Sequence, residues 1–213
     1  EDKQIGKWIH WHENGQKMKE GLFKDGKEDG KWIHWYRDGK KRVEENYLAG
    51  QKDGAYAEWH GNKNHSKGQY KLGKKQGKWT YWRESGTKES QGNYTDDMKE
   101  GTWTVWYDNG TKSQRGSYKN DKKDGVWTLW NKNKKKDSEG PYENGQQEGQ
   151  WVYWTKMGKR AGGGEFKAGK KDGLWSRLHK NGKKQMEATF KDGKLVGKAS
   201  CWNKSGKELP CPK

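Results

Sequence analysis

Apolar residues along this chain are mostly aromatic and recur at a fixed interval. A glycine begins each copy of a short segment, an aromatic residue usually follows two positions later, and a large apolar residue follows five positions later. The interval is 24 residues, except for one interval of 23. The glycines are Gly6, Gly30, Gly54, Gly77, Gly101, Gly125, Gly149 and Gly173, and Gly197 begins a degenerate ninth copy. Each such repeat is one supersecondary unit that buries its apolar side by stacking on its neighbours.

Three aromatic positions define the repeat, and all 15 tryptophans fall in the first two. The first position holds Trp8, Trp32, Tyr56, Trp79, Trp103, Trp127, Trp151 and Trp175. The second position holds Trp11, Trp35, Trp59, Trp82, Trp106, Trp130, Trp154, Leu178 and Trp202. The third position holds Phe23, Tyr47, Tyr70, Tyr94, Tyr118, Tyr142, Phe166 and Phe190.

Each repeat predicts two short strands and two turns, because turn signals follow the second and third aromatic positions. Asn14-Gly15 is a strong signal for a type I′ hairpin turn, and Lys24-Asp25-Gly26 is an example of the other turn. No segment has helical periodicity. The sequence therefore predicts an all-β fold, an elongated antiparallel meander of about 16 to 18 strands. Residues 1–5 lead in, residues 6–196 form eight repeats, and residues 197–213 form a degenerate ninth repeat and a cysteine-containing cap.

Counting outward from Asn14-Gly15 predicts the register and divides the aromatic residues between two faces. Trp8 is expected opposite Gly21, and Trp11 opposite Met18. The first and third aromatic positions then share one face and cover glycines, which makes them structural. The second position lies on the other face by alternation, unless a bulge intervenes. The residues of the second position are expected to be less covered than those of the first and third. They form a candidate binding ladder of indoles that can stack on sugars, bases or a partner's aromatic residues.

Composition and charge narrow the partners that such a sheet can bind. Lys and Arg number 46 against 29 Asp and Glu, a formal net charge of +17. Low hydropathy with high charge is typical of disorder, but the abundant aromatic residues argue for folding. No apolar run approaches the roughly 20 residues of a membrane span. The charge favours an acidic protein, an anionic polysaccharide or lipid, or, less strongly, a nucleic acid.

Residues that could carry other chemistry are few, so we expect no enzyme, metal or cofactor. His10, His12, His34 and His60 with Glu58 offer zinc or nickel ligands, but repeat neighbours lie ~10 Å apart, which favours a solvated strand face. Gly162-Gly163-Gly164 resembles a phosphate loop only superficially, because no helix is predicted behind it. No acid, base and nucleophile fall together where the pattern breaks.

Both cysteines, Cys201 and Cys211, lie in the last 13 residues. Two reduced thiols in a cytosolic protein are one interpretation, but a close pair in an otherwise cysteine-free chain favours a disulfide. A disulfide implies a periplasmic, cell-surface or secreted protein. Residue 1 is Glu, so a removed signal peptide would not be visible.

The segment G-K-W-I-H-W-H-E-N-G-Q-K, followed by an aromatic residue, K-D-G-K and another G-x-W, resembles the bacterial variant of the MORN repeat. It is similar to the YwqK-like antitoxin-type proteins, which are arrays of such repeats. The resemblance covers residues 6–206. It implies an elongated, non-enzymatic β-sheet used for protein–protein or membrane-proximal binding, and for some members an antitoxin or immunity role against a secreted toxin.

These observations lead to one functional hypothesis with two alternatives. The leading hypothesis is a non-catalytic binding or scaffold protein that engages an acidic protein partner, with an antitoxin or immunity role as a special case. The first alternative is an envelope-associated binder of an anionic polysaccharide or lipid. The weaker alternative is single-stranded nucleic-acid binding through the same lysines and indoles.

Overall fold

A computed structural model describes residues 3–212 of the chain. Described residues form twenty strands and no helix, and thus no helix long and apolar enough to cross a membrane. Consecutive strands pair antiparallel, so the prediction of an all-β meander is confirmed. The chain divides into two compact units, the first ending at Gly110 and the second beginning at Thr111.

The first unit contains ten strands, and its chain runs back and forth without a crossover. The strands are β1 (Gly6–Trp11), β2 (Lys17–Lys24), β3 (Lys27–Trp35), β4 (Lys41–Leu48), β5 (Gln51–Lys52), β6 (Gly54–His60), β7 (Lys63–Lys71), β8 (Lys74–Trp82), β9 (Lys88–Thr95) and β10 (Met98–Trp106). The β4 strand pairs with both β5 and β6, which are separated only by Asp53.

The second unit repeats this arrangement with ten further strands. They are β11 (Lys112–Lys119), β12 (Lys122–Trp130), β13 (Lys136–Glu143), β14 (Gln146–Gln147), β15 (Gly149–Trp154), β16 (Arg160–Lys167), β17 (Lys170–Leu178), β18 (Lys184–Lys191), β19 (Lys194–Trp202) and β20 (Glu208–Leu209). Among the strands of residues 3–212, β5, β14 and β20 have only two residues each, which is why the total exceeds the predicted 16 to 18.

The two turns of a repeat differ, and the predicted type I′ turn at Asn14-Gly15 is wrong. Only Gly15 has a positive φ there, and its N–H donates to the His12 carbonyl over 2.9 Å. This geometry matches a type I turn closed by a left-handed glycine. The type I′ conformation occurs instead at the other turn, where both Asp25 and Gly26 have positive φ.

The register agrees with the prediction along most of the first hairpin and then departs from it. Trp8 lies opposite Gly21 as expected. Trp11 lies opposite Lys17 and not Met18, because the register shifts between His10 and Trp11. The extra residue is on β2, so β1 keeps its alternation and Trp8 and Trp11 point to opposite faces.

The core lies on the sheet face that carries the first and third aromatic positions, called here the aromatic face. From the second repeat onward, every first-position tryptophan is at most 8% exposed, and residue 56 is a tyrosine in place of the tryptophan. The buried tryptophans are Trp32, Trp79, Trp103, Trp127, Trp151 and Trp175. Each indole N–H donates to a carbonyl of the preceding repeat, as Trp79 does to Gln69 over 3.1 Å. Tyr70 packs edge-on against Trp79 with ring centroids 5.1 Å apart.

Each buried indole covers a glycine of the preceding repeat, not the glycine directly opposite it in its own hairpin. A Cβ added to Gly68 would lie 2.2 Å from the Trp79 ring. The covering indole and the covered glycine are replaced together along the chain. Tyr56 replaces an indole where Glu45 replaces the glycine, and Ala199 replaces an indole where Ala188 replaces the glycine. A side chain is therefore tolerated only where the covering indole is absent.

A disulfide joins Cys201 in β19 to Cys211 in the C-terminal tail. The tail pairs with β19 through β20, where Cys201 lies opposite Leu209 and Trp202 opposite Glu208. The disulfide therefore holds the tail along the edge of the last long strand, an edge that would otherwise be open to pairing.

Candidate functional site

The second aromatic position lies on the face opposite the core, here called the lysine–tryptophan face. Its tryptophans are half-buried, except Trp11, which is 56% exposed. This contrasts with the nearly complete burial of the indoles on the aromatic face. Every second-position indole therefore keeps part of its surface in contact with solvent.

A lysine from the preceding repeat lies over at least four of these indoles. The pairs, with the distances from Nζ to the ring centroid, are Lys17 on Trp35 (5.7 Å), Lys88 on Trp106 (5.8 Å), Lys136 on Trp154 (5.3 Å) and Lys184 on Trp202 (5.7 Å). Two of these four pairs lie in each unit. A cation within about 6 Å of an indole face is attracted by the ring quadrupole. The arrangement presents an ammonium group and an indole together at each of the four places.

Three of the four lysines are also paired with a glutamate three residues later in sequence. Lys136, for example, lies 2.7 Å from a carboxylate oxygen of Glu139. Lys88 is different because residue 91 is Gln, whose amide donates to Thr80 over 2.7 Å. Among the described residues Lys88 makes no ion pair. The Lys88–Trp106 pair therefore has the least neutralised charge of the four.

Side chains in the turns fix the position of the second indoles. The residue after a second-position tryptophan contacts the carbonyl of the next one along the sheet. Arg83 donates to the Trp106 carbonyl over 2.7 Å, and Tyr36 donates to the Trp59 carbonyl over 2.8 Å. Arg83 also donates to the carbonyl of Lys88 over 2.8 Å. Lys88, Trp106 and Arg83 thus form one connected cationic cluster.

The aromatic face carries lysines that the sequence analysis did not anticipate. They stand two residues before a repeat glycine and place Nζ over a core indole; examples are Lys75 on Trp79 at 4.7 Å and Lys123 on Trp127 at 4.1 Å. The fixed spacing before the glycine was a usable signal in the sequence. These lysines cover the core with their alkyl chains while the ammonium group faces outward.

A buried polar cluster on the aromatic face occurs where the pattern breaks at Glu45 and Tyr56. Glu45 is 5% exposed, and Lys52 Nζ and His34 Nε2 lie 2.8 and 3.1 Å from its carboxylate oxygens. Tyr47 donates to the same carboxylate over 3.1 Å. Burial raises the pKa of Glu45, but the neighbouring His34 and Lys52 outweigh burial and lower that pKa to about 2. Glu45 is thus ionised and neutralised in place.

The histidines considered as metal ligands are not brought together. His34 contacts Glu45, His12 lies 3.1 Å from the Trp35 carbonyl, and His60 stacks on His65 with centroids 3.9 Å apart. Within residues 3–212 no group of three or more His, Cys, Asp or Glu side chains is placed to hold a metal ion. The run Gly162-Gly163-Gly164 lies inside strand β16.

The geometry defines a class of protein, an all-β repeat protein with a buried aromatic face and a partly exposed lysine–tryptophan face. The repeats are similar to a known family, described as the MORN repeat variant, whose model matches residues 4–25, 28–49, 99–120 and 171–192. These segments make up about two fifths of the chain, and each of them begins two residues before a repeat glycine. No curated protein matches the chain significantly. MORN-type repeats are generally non-enzymatic and suggest a binding or scaffold role.

Proposed function

We propose that this protein is a non-catalytic binding or scaffold protein whose lysine–tryptophan face engages an acidic protein partner. The observation that carries the proposal is the placement of Lys88 over the Trp106 ring, with Arg83 donating to the backbone carbonyl of the same Trp106. An indole beside unpaired cations suits a partner surface that combines carboxylates with apolar groups. Interfaces of this kind concentrate binding energy in tryptophan and arginine.

The net charge of +17 supports an acidic partner, because a field of one sign raises the rate of encounter with the opposite sign. The three lysine–tryptophan pairs whose lysine also has a glutamate partner are more nearly neutral than the Lys88–Trp106 pair. These three pairs supply indole surface and shape, while the Lys88–Trp106 pair supplies charge. An antitoxin or immunity role is a special case of this proposal, in which the acidic partner is a toxin.

The Cys201–Cys211 disulfide supports a location outside the reducing cytosol. We propose a location in the periplasm, at the cell surface or outside the cell. In that setting an anionic polysaccharide or lipid competes with a protein as the partner, and the second candidate function is binding of such a polymer.

The test is capture of the partner under oxidising conditions with immobilised wild-type protein and with Trp106→Ala and Lys88→Gln variants. Lys75→Gln, which removes an equal charge from the aromatic face, is the matched control. The proposal predicts an acidic protein that both test variants lose and the control retains. Capture of an anionic polysaccharide, lipid or nucleic acid with a steep dependence on salt, or equal retention by all the variants, would contradict it.

A further inference from the structure

The second unit has an open cleft on its aromatic face where the repeat pattern loses a side chain. Gly162 lies between Tyr153 and Arg177 in the sheet register. At the equivalent position the other repeats carry Lys19, Val43, Ser66, Ser90, Gln114, Ser138 and Met186. The cleft has a volume of about 340 Å³. A volume in this range is at the lower end of sites that hold small molecules.

Gly162 is required by the close approach of the backbone. A Cβ at this position would lie 2.1 Å from the Ser176 carbonyl oxygen, and the residue has a φ of +145°. An ordinary side chain therefore does not fit between β16 and β17. The gap is a built feature of the sheet.

Aromatic rings form the walls of the cleft. Tyr153, Trp175 and Phe190 line it together with Met186. The Tyr153 and Trp175 ring centroids are 6.1 Å apart and the rings are tilted by 40°. Burial raises the pKa of Tyr153, so its hydroxyl stays protonated at neutral pH and can donate a hydrogen bond. These walls suit a flat ring.

Two cations, Lys171 and Arg177, also line the cleft. Lys171 Nζ lies 4.4 Å from the Trp175 centroid and 5.0 Å from the Phe190 centroid. Within the described part of the chain neither cation makes an ion pair. The nearby carboxylates serve the other face, where Asp172 pairs with Lys191 and Glu187 with Lys184. The cleft therefore combines an aromatic floor with positive charge that no carboxylate neutralises.

We propose that this cleft binds a small aryl carboxylate, with its ring packed against the Tyr153 and Trp175 side chains and its anionic group on Lys171 and Arg177. The planar guanidinium group of Arg177 suits a carboxylate. The site is on the aromatic face of the second unit and contains none of the second-position indoles, so it does not depend on the proposed protein partner. If the cleft does not bind an aryl carboxylate, the proposed binding of an acidic protein by the lysine–tryptophan face is unaffected.

The test is isothermal titration calorimetry of the full chain with 2-naphthoate, with neutral 2-naphthamide as the comparison. We expect a dissociation constant below about 1 mM, as for a ligand of this size at ordinary efficiency. Lys171→Gln and Arg177→Gln are each expected to weaken binding about tenfold. Lys75→Gln is the matched control, because Lys75 lies over Trp79 and Tyr94 as Lys171 lies over Trp175 and Phe190. It is expected to leave binding unchanged.

Three results would overturn the proposal. One is the absence of binding up to about 1 mM, which removes the site. Another is equal binding of 2-naphthamide, which shows that the cations have no role. The third is an equal loss on Lys75→Gln, which places the ligand elsewhere. Because Arg177 is exposed, Arg177→Gln is expected to fold, and an unchanged circular dichroism spectrum verifies this.

Discussion

The packing of one indole on one glycine predicts a strong energetic coupling between Gly68 and Trp79. Gly68→Ala places a Cβ 2.2 Å from a ring that is 1% exposed and has no space to move. Overpacking of this kind costs about 1–3 kcal/mol. Trp79→Ala removes the ring and costs about 3–5 kcal/mol. The φ of Gly68 lies outside the left-handed region, so alanine is acceptable to the backbone itself.

The double variant is the informative measurement. The positions equivalent to Gly68 and Trp79 in the last repeat are Ala188 and Ala199, so the chain accepts alanine at both of them. Without the indole, Gly68→Ala is expected to cost almost nothing, so the coupling energy equals about 1–3 kcal/mol. Urea denaturation followed by far-ultraviolet circular dichroism gives the midpoints of the wild type, both single variants and the double variant. An equal cost of Gly68→Ala in both backgrounds would refute the packing argument.

Three further predictions concern the other face, the buried carboxylate and the disulfide. Trp106→Ala is expected to cost about 1–2 kcal/mol in urea denaturation, less than Trp103→Ala at about 3–5, because Trp106 is half-buried and Trp103 is 2% exposed; the reverse order would mean that the faces are exchanged. The folded-state pKa of Glu45 lies below its ordinary value of 4.5, so the ionised Glu45 stabilises the fold by about 3 kcal/mol above pH 4.5, and this stabilisation is lost as the pH falls towards 2. Glu45→Gln is expected to flatten that part of the profile of unfolding free energy against pH, and an unchanged profile would contradict this prediction. Reduction of Cys201–Cys211 is expected to cost the second unit about 2–3 kcal/mol, measured by thermal denaturation after intact-mass and alkylation checks; two alkylatable thiols in protein made under oxidising conditions would contradict the bond.

The sequence predicts the fold class and the positions of most strands because its period is strict. Gly6, Trp8 and Phe23 recur in every repeat with few exceptions, and alternation then places the first and third aromatic positions on one face. The turn type was not predictable from Asn14-Gly15 alone, because the same dipeptide serves a type I′ turn or a type I turn with a left-handed glycine. The shifted pairing of Trp11 follows from the extra residue on β2 near that turn.

The candidate site was predictable only in part, because it depends on contacts between repeats. The tryptophans of the second position were identifiable from spacing, but the lysines over rings such as Trp106 and Trp154 come from the preceding repeat. The Tyr56 substitution was visible as a break in the pattern. The link between Tyr56 and Glu45 was not visible. Within its own hairpin Glu45 pairs with Trp32. In other repeats, however, the indole that covers the position equivalent to Glu45 comes from the next hairpin.

In the proposed function the lysine–tryptophan face, and not the net charge in general, binds the acidic partner. Two double variants of equal charge test it directly, Lys88→Gln with Lys136→Gln on that face and Lys75→Gln with Lys123→Gln on the aromatic face. Affinity for poly-L-glutamate, a defined acidic chain, is measured by calorimetry for each at fixed ionic strength. We expect a loss of about tenfold or more for the first variant and almost none for the second. Equal losses in the two variants would contradict it.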